Sequence, residues 1–121
     1  MSKDLEMEEV RLDVGRVSGQ MGESDDLKPI KFEGAEIARH QVYSGELNNN
    51  DDRGVTRIVY KTEKGNFLLY TKDWSRWQGE SSHYSYKTYE SLEEIESDIP
   101  DGLAVKVKEN LGLDPAEELD V

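Results

Sequence analysis

The chain has no cysteine, only two histidines, three prolines and two phenylalanines, and its 15 basic residues are outnumbered by 27 acidic ones. Without cysteine there is no disulfide framework, no thiolate zinc site and no cysteine nucleophile. His40 and His83 stand far apart, outside any His-x-x-x-His ligand spacing, so no metal site is expected. No Gly-x-Gly-x-x-Gly, Walker lysine motif or Gly-x-Ser-x-Gly elbow is present, and Asp51-Asp52 lacks the ordered ligands of a calcium loop. No cofactor and no catalytic residue are assigned. His83 beside Tyr84 is an acid/base candidate by residue type alone, because no nucleophile pairs with it.

No run approaches the roughly 20 apolar residues needed to cross a bilayer, and Met1-Ser-Lys-Asp4 has no apolar export core. A cytoplasmic protein without a membrane partner is expected. The net charge of -12 disfavours direct nucleic-acid binding, which depends on clustered Lys and Arg to release phosphate counterions. A basic partner fits that charge better, although charge also serves solubility alone.

What is present fits one domain of 121 residues, with 35% hydrophobic and 35% charged residues. Aromatics concentrate between Tyr43 and Tyr89. Val55–Thr62 and Asn66–Thr71 are rich in β-branched and aromatic residues and are separated by Glu63-Lys64-Gly65, which suits a hairpin ending in a glycine bulge. Ile58 and Tyr60 share one strand face and Val55 and Val59 the other; Phe67 and Leu69 oppose Leu68 and Tyr70. Both faces are apolar, which places this hairpin in the middle of a sheet. Lys72–Gly79 reads as a connection, and Ser82–Tyr89 as a third strand with Tyr84 and Tyr86 alternating against polar neighbours.

Residues 1–9 are charged and expected to be frayed, ahead of a domain spanning 10–121. Val10, Leu12 and Val14 alternate as in a half-buried strand. Residues 15–28, with Gly15, Gly19 and Gly22 and few apolar anchors, predict a flexible loop. Pro29 to Tyr43 reads as strand with a bulge at Gly34, its second half also compatible with helix. Ser44–Gly54 reads as a solvated loop. After Tyr89 the period changes. Ser91-Leu-Glu-Glu94 forms a capping box ahead of Leu92, Ile95 and Ile99, and Leu103, Val107 and Leu111 mark a second helix closed by Gly112. Asp114-Pro115-Ala116-Glu117 repeats a helix-start signal. The acidic residues of these helix-start turns are explained by the helix dipole before any chemistry.

Two stretches are candidates for contact. Asp73-Trp74-Ser75-Arg76-Trp77 puts two indoles three positions apart in a polar segment, which either cap a core or meet a partner. Arg76 between them suits stacking or an anionic group, or a bridge to Asp73. The terminal Glu117-Glu118-Leu119-Asp120-Val121 is either a latch, with Leu119 tucked inward, or a linear signal read by another protein.

That ending also carries a family resemblance. Together with Lys31-Phe-Glu-Gly34, Ile37-Ala-Arg39, Thr62-Glu-Lys-Gly65, Asp73-Trp74 with Trp77, Ile99-Pro100 and Leu111-Gly112, it resembles the EXLDI family over roughly Glu9 to Val121, with Val in place of the final Ile. The resemblance implies no activity and no catalytic residues, and it hints at regulators, some of which carry a DNA-binding-like segment. The acidic N-terminus here has no basic strand–helix–helix pattern, so direct operator binding is not expected.

The resulting expectation is an α+β fold: an antiparallel meander of about four to six strands with short C-terminal helices packed on one face. The expected function is a non-enzymatic interaction or regulatory module binding a protein partner through Trp74, Arg76, Trp77, Glu117, Leu119 and Asp120. Homodimerisation across a sheet edge is compatible with this reading. The alternative is a small-molecule-binding or hydrolytic domain with its pocket between sheet and helices.

Overall fold

A computed structural model describes residues 5–20, 22, 24–43, 53–77 and 79–120. The elements follow in the order β1 (Glu8–Val17), β2 (Asp26–Tyr43), β3 (Arg53–Thr62), β4 (Phe67–Ser75), β5 (Ser82–Tyr89), α1 (Leu92–Glu96) and α2 (Asp101–Asn110). The fold is an antiparallel five-stranded sheet with two short helices, dominated by the sheet.

The sheet curls into a barrel, in the order β1-β2-β3-β4-β5. Every neighbouring pair is antiparallel, including the closing ladder of Gly15–Tyr84, Arg16–His83 and Val17–Ser82. An odd ring of antiparallel pairs cannot lie on a plain cylinder, so strands must bend. The long β2 turns the main corner: its first half pairs with β1, its second half with β3, and Gly34 faces both Glu8 and Thr62. A Cβ at Gly34 would stand 2.8 Å from the Lys61 carbonyl oxygen and from the Phe32 ring, so only glycine fits that crossing. The bulge expected at Gly34 lies slightly later, where the register shifts between Glu36 and Ala38. A second bend falls at Gly15, whose φ of 133° suits glycine alone.

Two cores result, one on each face of the central hairpin. Ile58, Tyr60, Leu68 and Tyr70 fill the barrel interior with Val10, Leu12, Val14, Phe32 and Tyr84 around them. Phe32 meets Tyr60 edge-on at 5.4 Å, and the Tyr70 hydroxyl donates to the Asp13 carbonyl oxygen. On the outer face Val59, Phe67, Leu69 and Tyr89 pack against Ile95, Ile99, Leu103 and Val107 of the helical segment. Val59, Ile95, Leu103 and Val107 are fully buried there. A packed apolar core therefore fills the centre of the space between sheet and helices.

Local chemistry sets the element ends. The Gly65 amide donates to the Thr62 carbonyl at 2.9 Å, and Gly65 has φ 87°, closing the β3–β4 hairpin as its sequence predicts. Ser91 Oγ accepts from the Glu94 amide at 3.2 Å, while Glu94 reaches back to the Glu90 amide, one residue before the cap. Gly112 ends α2 with a paired motif: its amide donates to Glu109 and that of Leu113 to Lys108. Where β1 leaves β2, α2 covers the exposed edge, Asn110 Nδ2 donating to the Ile37 carbonyl at 2.7 Å.

Several expectations need correction. Strand structure runs to Val17 and resumes at Asp26, so the connection is shorter than the 15–28 loop. In the N-terminal stretch, residues 1–4 lie outside the described residues, Leu5 packs against the outer core and β1 begins at Glu8. β4 extends through Ser75, which makes Lys72 and Trp74 strand residues rather than part of a connection. Most of the Ser44–Gly54 loop also lies outside the described residues, whereas Arg53 and Gly54 open β3. No third helix forms at Asp114; its carboxylate instead accepts from the Ala116 amide at 2.9 Å, a local turn that competes with helix initiation. No helix is long and apolar enough to cross a membrane among the described residues.

Candidate functional site

Strand alternation decides what lines the open end of the barrel. On β3 the residues Thr56, Ile58 and Tyr60 point inward, and their partners on β4 are Lys72, Tyr70 and Leu68. Following each inward stripe towards the end of the barrel, the side chains change from Leu68 and Tyr70 to Lys72 and Trp74. The register shift in β2 sets Arg39 opposite Ile58 and Gln41 opposite Thr56, bringing both onto this same face. The interior therefore grades from an apolar core to a polar and basic mouth.

Within that mouth Trp74 is the fixed platform. Its indole N–H donates to Thr56 Oγ1 at 3.1 Å, and the Thr56 hydroxyl donates to Gln41 Oε1 at 2.9 Å. Tyr43 meets the indole edge-on at 6.0 Å. Gly54 lies directly opposite, and a Cβ there would come within 2.6 Å of the indole. Arg76 lies over the Trp74 ring at 5.2 Å, and Arg53 lies over the Trp77 ring at 3.8 Å. Trp77 itself is 41% exposed. Arg53 Nε also sits 3.0 Å from Glu80 Oε1, close enough for charge pairing but without hydrogen-bond alignment. Ser75 Oγ donates to that carboxylate at 2.6 Å and accepts from the Trp77 amide at 3.1 Å, which ties the turn to the strand end.

The mouth has a volume of about 400 Å³, and its wall includes Arg39, Lys72, Arg76, Trp74, Thr56 and Tyr84 but no carboxylate among the described residues. A neighbouring hollow of about 440 Å³ shares Arg76 and Ser75 and adds Trp77 and Glu80. Lys72 Nζ is held over the Tyr84 and Tyr70 rings at 5.3 and 5.7 Å. Burial, with the neighbouring Tyr84, Asp13 and Tyr60, pushes the Tyr70 phenol up to about 12.

The sequence candidates separate in space. Trp74 and Arg76 line the mouth and Trp77 its rim, joined by Arg53, Arg39, Lys72 and Gln41, which sequence reasoning missed. The missed signal was the continuing alternation of Leu68, Tyr70, Lys72 and Trp74. The tail lies elsewhere: Leu119 is 66% exposed, and Glu117 lines a different hollow with Lys108 and Pro115. His83 is exposed on β5 opposite Asp73 and does not line the mouth. No group of three or more His, Cys, Asp or Glu able to hold a metal occurs among the described residues. Tyr89 and Lys87 converge on Asp98 at 2.7 and 3.1 Å; these bonds, Tyr89 first, hold its carboxyl below the usual range and tie β5 to the helical segment. Comparison with family models, curated proteins and solved structures finds no match.

Proposed function

We propose that the chain is a non-enzymatic binding module that engages a protein partner through the open end of the barrel, with Trp77 at the centre of the contact. One observation carries this reading: an indole left 41% exposed, with a guanidinium stacked 3.8 Å from its ring centre. Exposing that much indole to water is unfavourable, and aromatic–arginine groups are typical anchors of protein contacts. Trp74 and Arg76 form the inner wall beside it. The exposed Glu117, Leu119 and Asp120 serve as a separate, secondary contact. The resemblance to the EXLDI family adds a regulatory setting in which such a module docks rather than catalyses.

A photo-crosslinking amino acid placed at position 77, with a control at the exposed Thr88, tests the reading in the cells that produce the protein. One defined protein adduct at 77 and none at 88 is the expected result. Equal labelling at both positions, or none at 77, would overturn it.

A further inference from the structure

The barrel mouth carries a charge opposite to that of the molecule around it. The chain has 27 Asp and Glu residues against 15 Lys and Arg, so carboxylates able to neutralise an inward-facing cation are plentiful. Among the described residues none lines this cavity, although three cations do: Lys72 and Arg76, and Arg39, which is paired with Glu36 beside the cavity. Neither Lys72 nor Arg76 has a carboxylate within 4.0 Å among the described residues. Placing cations together on one concave wall costs repulsion, which an anion between them relieves.

The donors are also oriented in advance. Glu36 takes two of the five guanidinium N–H groups of Arg39, through Nε at 3.0 Å and through Nη2, and so fixes the remaining donors without occupying them. Tyr84 and Tyr70 hold the Lys72 ammonium over their rings, and the Trp74 ring carries Arg76. Gln41 Oε1 is engaged by Thr56, which leaves the amide N–H groups of Gln41 as further donors. Fixed charged and neutral donors around an aromatic floor, in about 400 Å³, match a small molecule bearing a multiply charged oxygen anion.

We infer that the barrel mouth is a binding site for a small oxyanionic ligand, its phosphate or clustered carboxylates held by Lys72, Arg76 and Arg39 and its body resting on Trp74. This goes beyond protein docking at Trp77 and does not depend on it: Lys72 and Arg39 belong to the anion site alone.

The test is an amide and indole NMR titration of the full chain at low salt with inorganic phosphate, pyrophosphate and citrate, Trp74 and Gln41 serving as reporters. The expected result is saturable movement of both reporters. Tighter binding of the phosphates or of citrate assigns the anion chemistry. Affinity should weaken about tenfold or more in Lys72→Met, the loss expected for one charge-assisted hydrogen bond. It should also fall on raising NaCl, because these charges face solvent. Arg76 is exposed, so Arg76→Gln provides a second variant whose folding does not rest on buried contacts. Absence of saturable shifts with all three anions, or unchanged affinity in both variants, would overturn the inference. Crosslinking at position 77 that persists in Lys72→Met while anion binding is lost separates the two activities. Crosslinking lost with anion binding intact removes the docking reading alone.

Discussion

Ile58 and Val59 are neighbours on β3 with opposite destinations, and replacing each by Ala tests the two-core fold at its centre. Ile58 is 5% exposed inside the barrel, and Val59 is 0% exposed under the helices. Ile58→Ala removes three carbons, about 2.4 kcal/mol of transfer free energy at about 0.8 kcal/mol each. The unfilled cavity raises the loss to about 2–5 kcal/mol. Val59→Ala removes two carbons and should cost about 2–3 kcal/mol on the same reckoning. Urea unfolding followed by tryptophan fluorescence and far-ultraviolet circular dichroism measures both. With an m-value of about 1.5 kcal/mol/M, a 3 kcal/mol loss lowers the midpoint by about 2 M. Adding Leu103→Ala sharpens the test. Val59 and Leu103 share the outer core, so their double mutant should show a coupling of about 0.5–3 kcal/mol. Ile58 belongs to the other cluster, and its effect should add to that of Leu103→Ala within about 0.5 kcal/mol. A loss below about 0.5 kcal/mol for either single change would mean that its face meets solvent, and the two-sided architecture would fail.

Two further outcomes follow from the same structure. Because burial raises the Tyr70 phenol from 10.0 to about 12, its stabilising contribution is complete below pH 10 and is lost as pH rises through 12. Spectrophotometric titration should show late-titrating tyrosine that diminishes in Tyr70→Phe; all six tyrosines ionising together near 10 would refute the burial. Leu119→Asp in the exposed tail should change thermal stability by less than about 0.5 kcal/mol, and a larger loss would restore the latch reading.

The middle of the fold was legible because both faces of Val55–Thr62 and Phe67–Tyr70 are apolar, which only two-sided burial explains. The capping box at Ser91 and the glycine ends at Gly65 and Gly112 were legible for a similar reason: each is a local rule satisfied within a few residues. Barrel closure was not, because it depends on long-range pairing of Gly15–Val17 with Ser82–Tyr84, and glycine and serine around that corner imitate an ordinary loop. The false helix start at Asp114 shows the limit of local rules in the other direction. Its carboxylate satisfies the Ala116 amide, but the only apolar residue between there and Asp120 that could anchor a helix is the exposed Leu119, so capping chemistry alone does not sustain one.

The candidate site was hidden by a single extra residue. Before the register shift in β2 the even positions face inward, as Phe32 does against Tyr60; beyond it Ile37 and Ala38 both join the outer core, and the odd positions Arg39 and Gln41 turn inward. Strict alternation carried past Glu36 would send Arg39 towards the helices, where a guanidinium has no place among Ile95, Leu103 and Val107. The same shift sets Glu36 beside Arg39 on one face, so one irregularity both supplies the mouth with its third cation and holds that cation still. A period-two reading cannot reveal this, since the parity of a strand after a bulge is known only from its partner. The basic mouth of an acidic protein is thus a property of register, and the net charge of -12 conceals it.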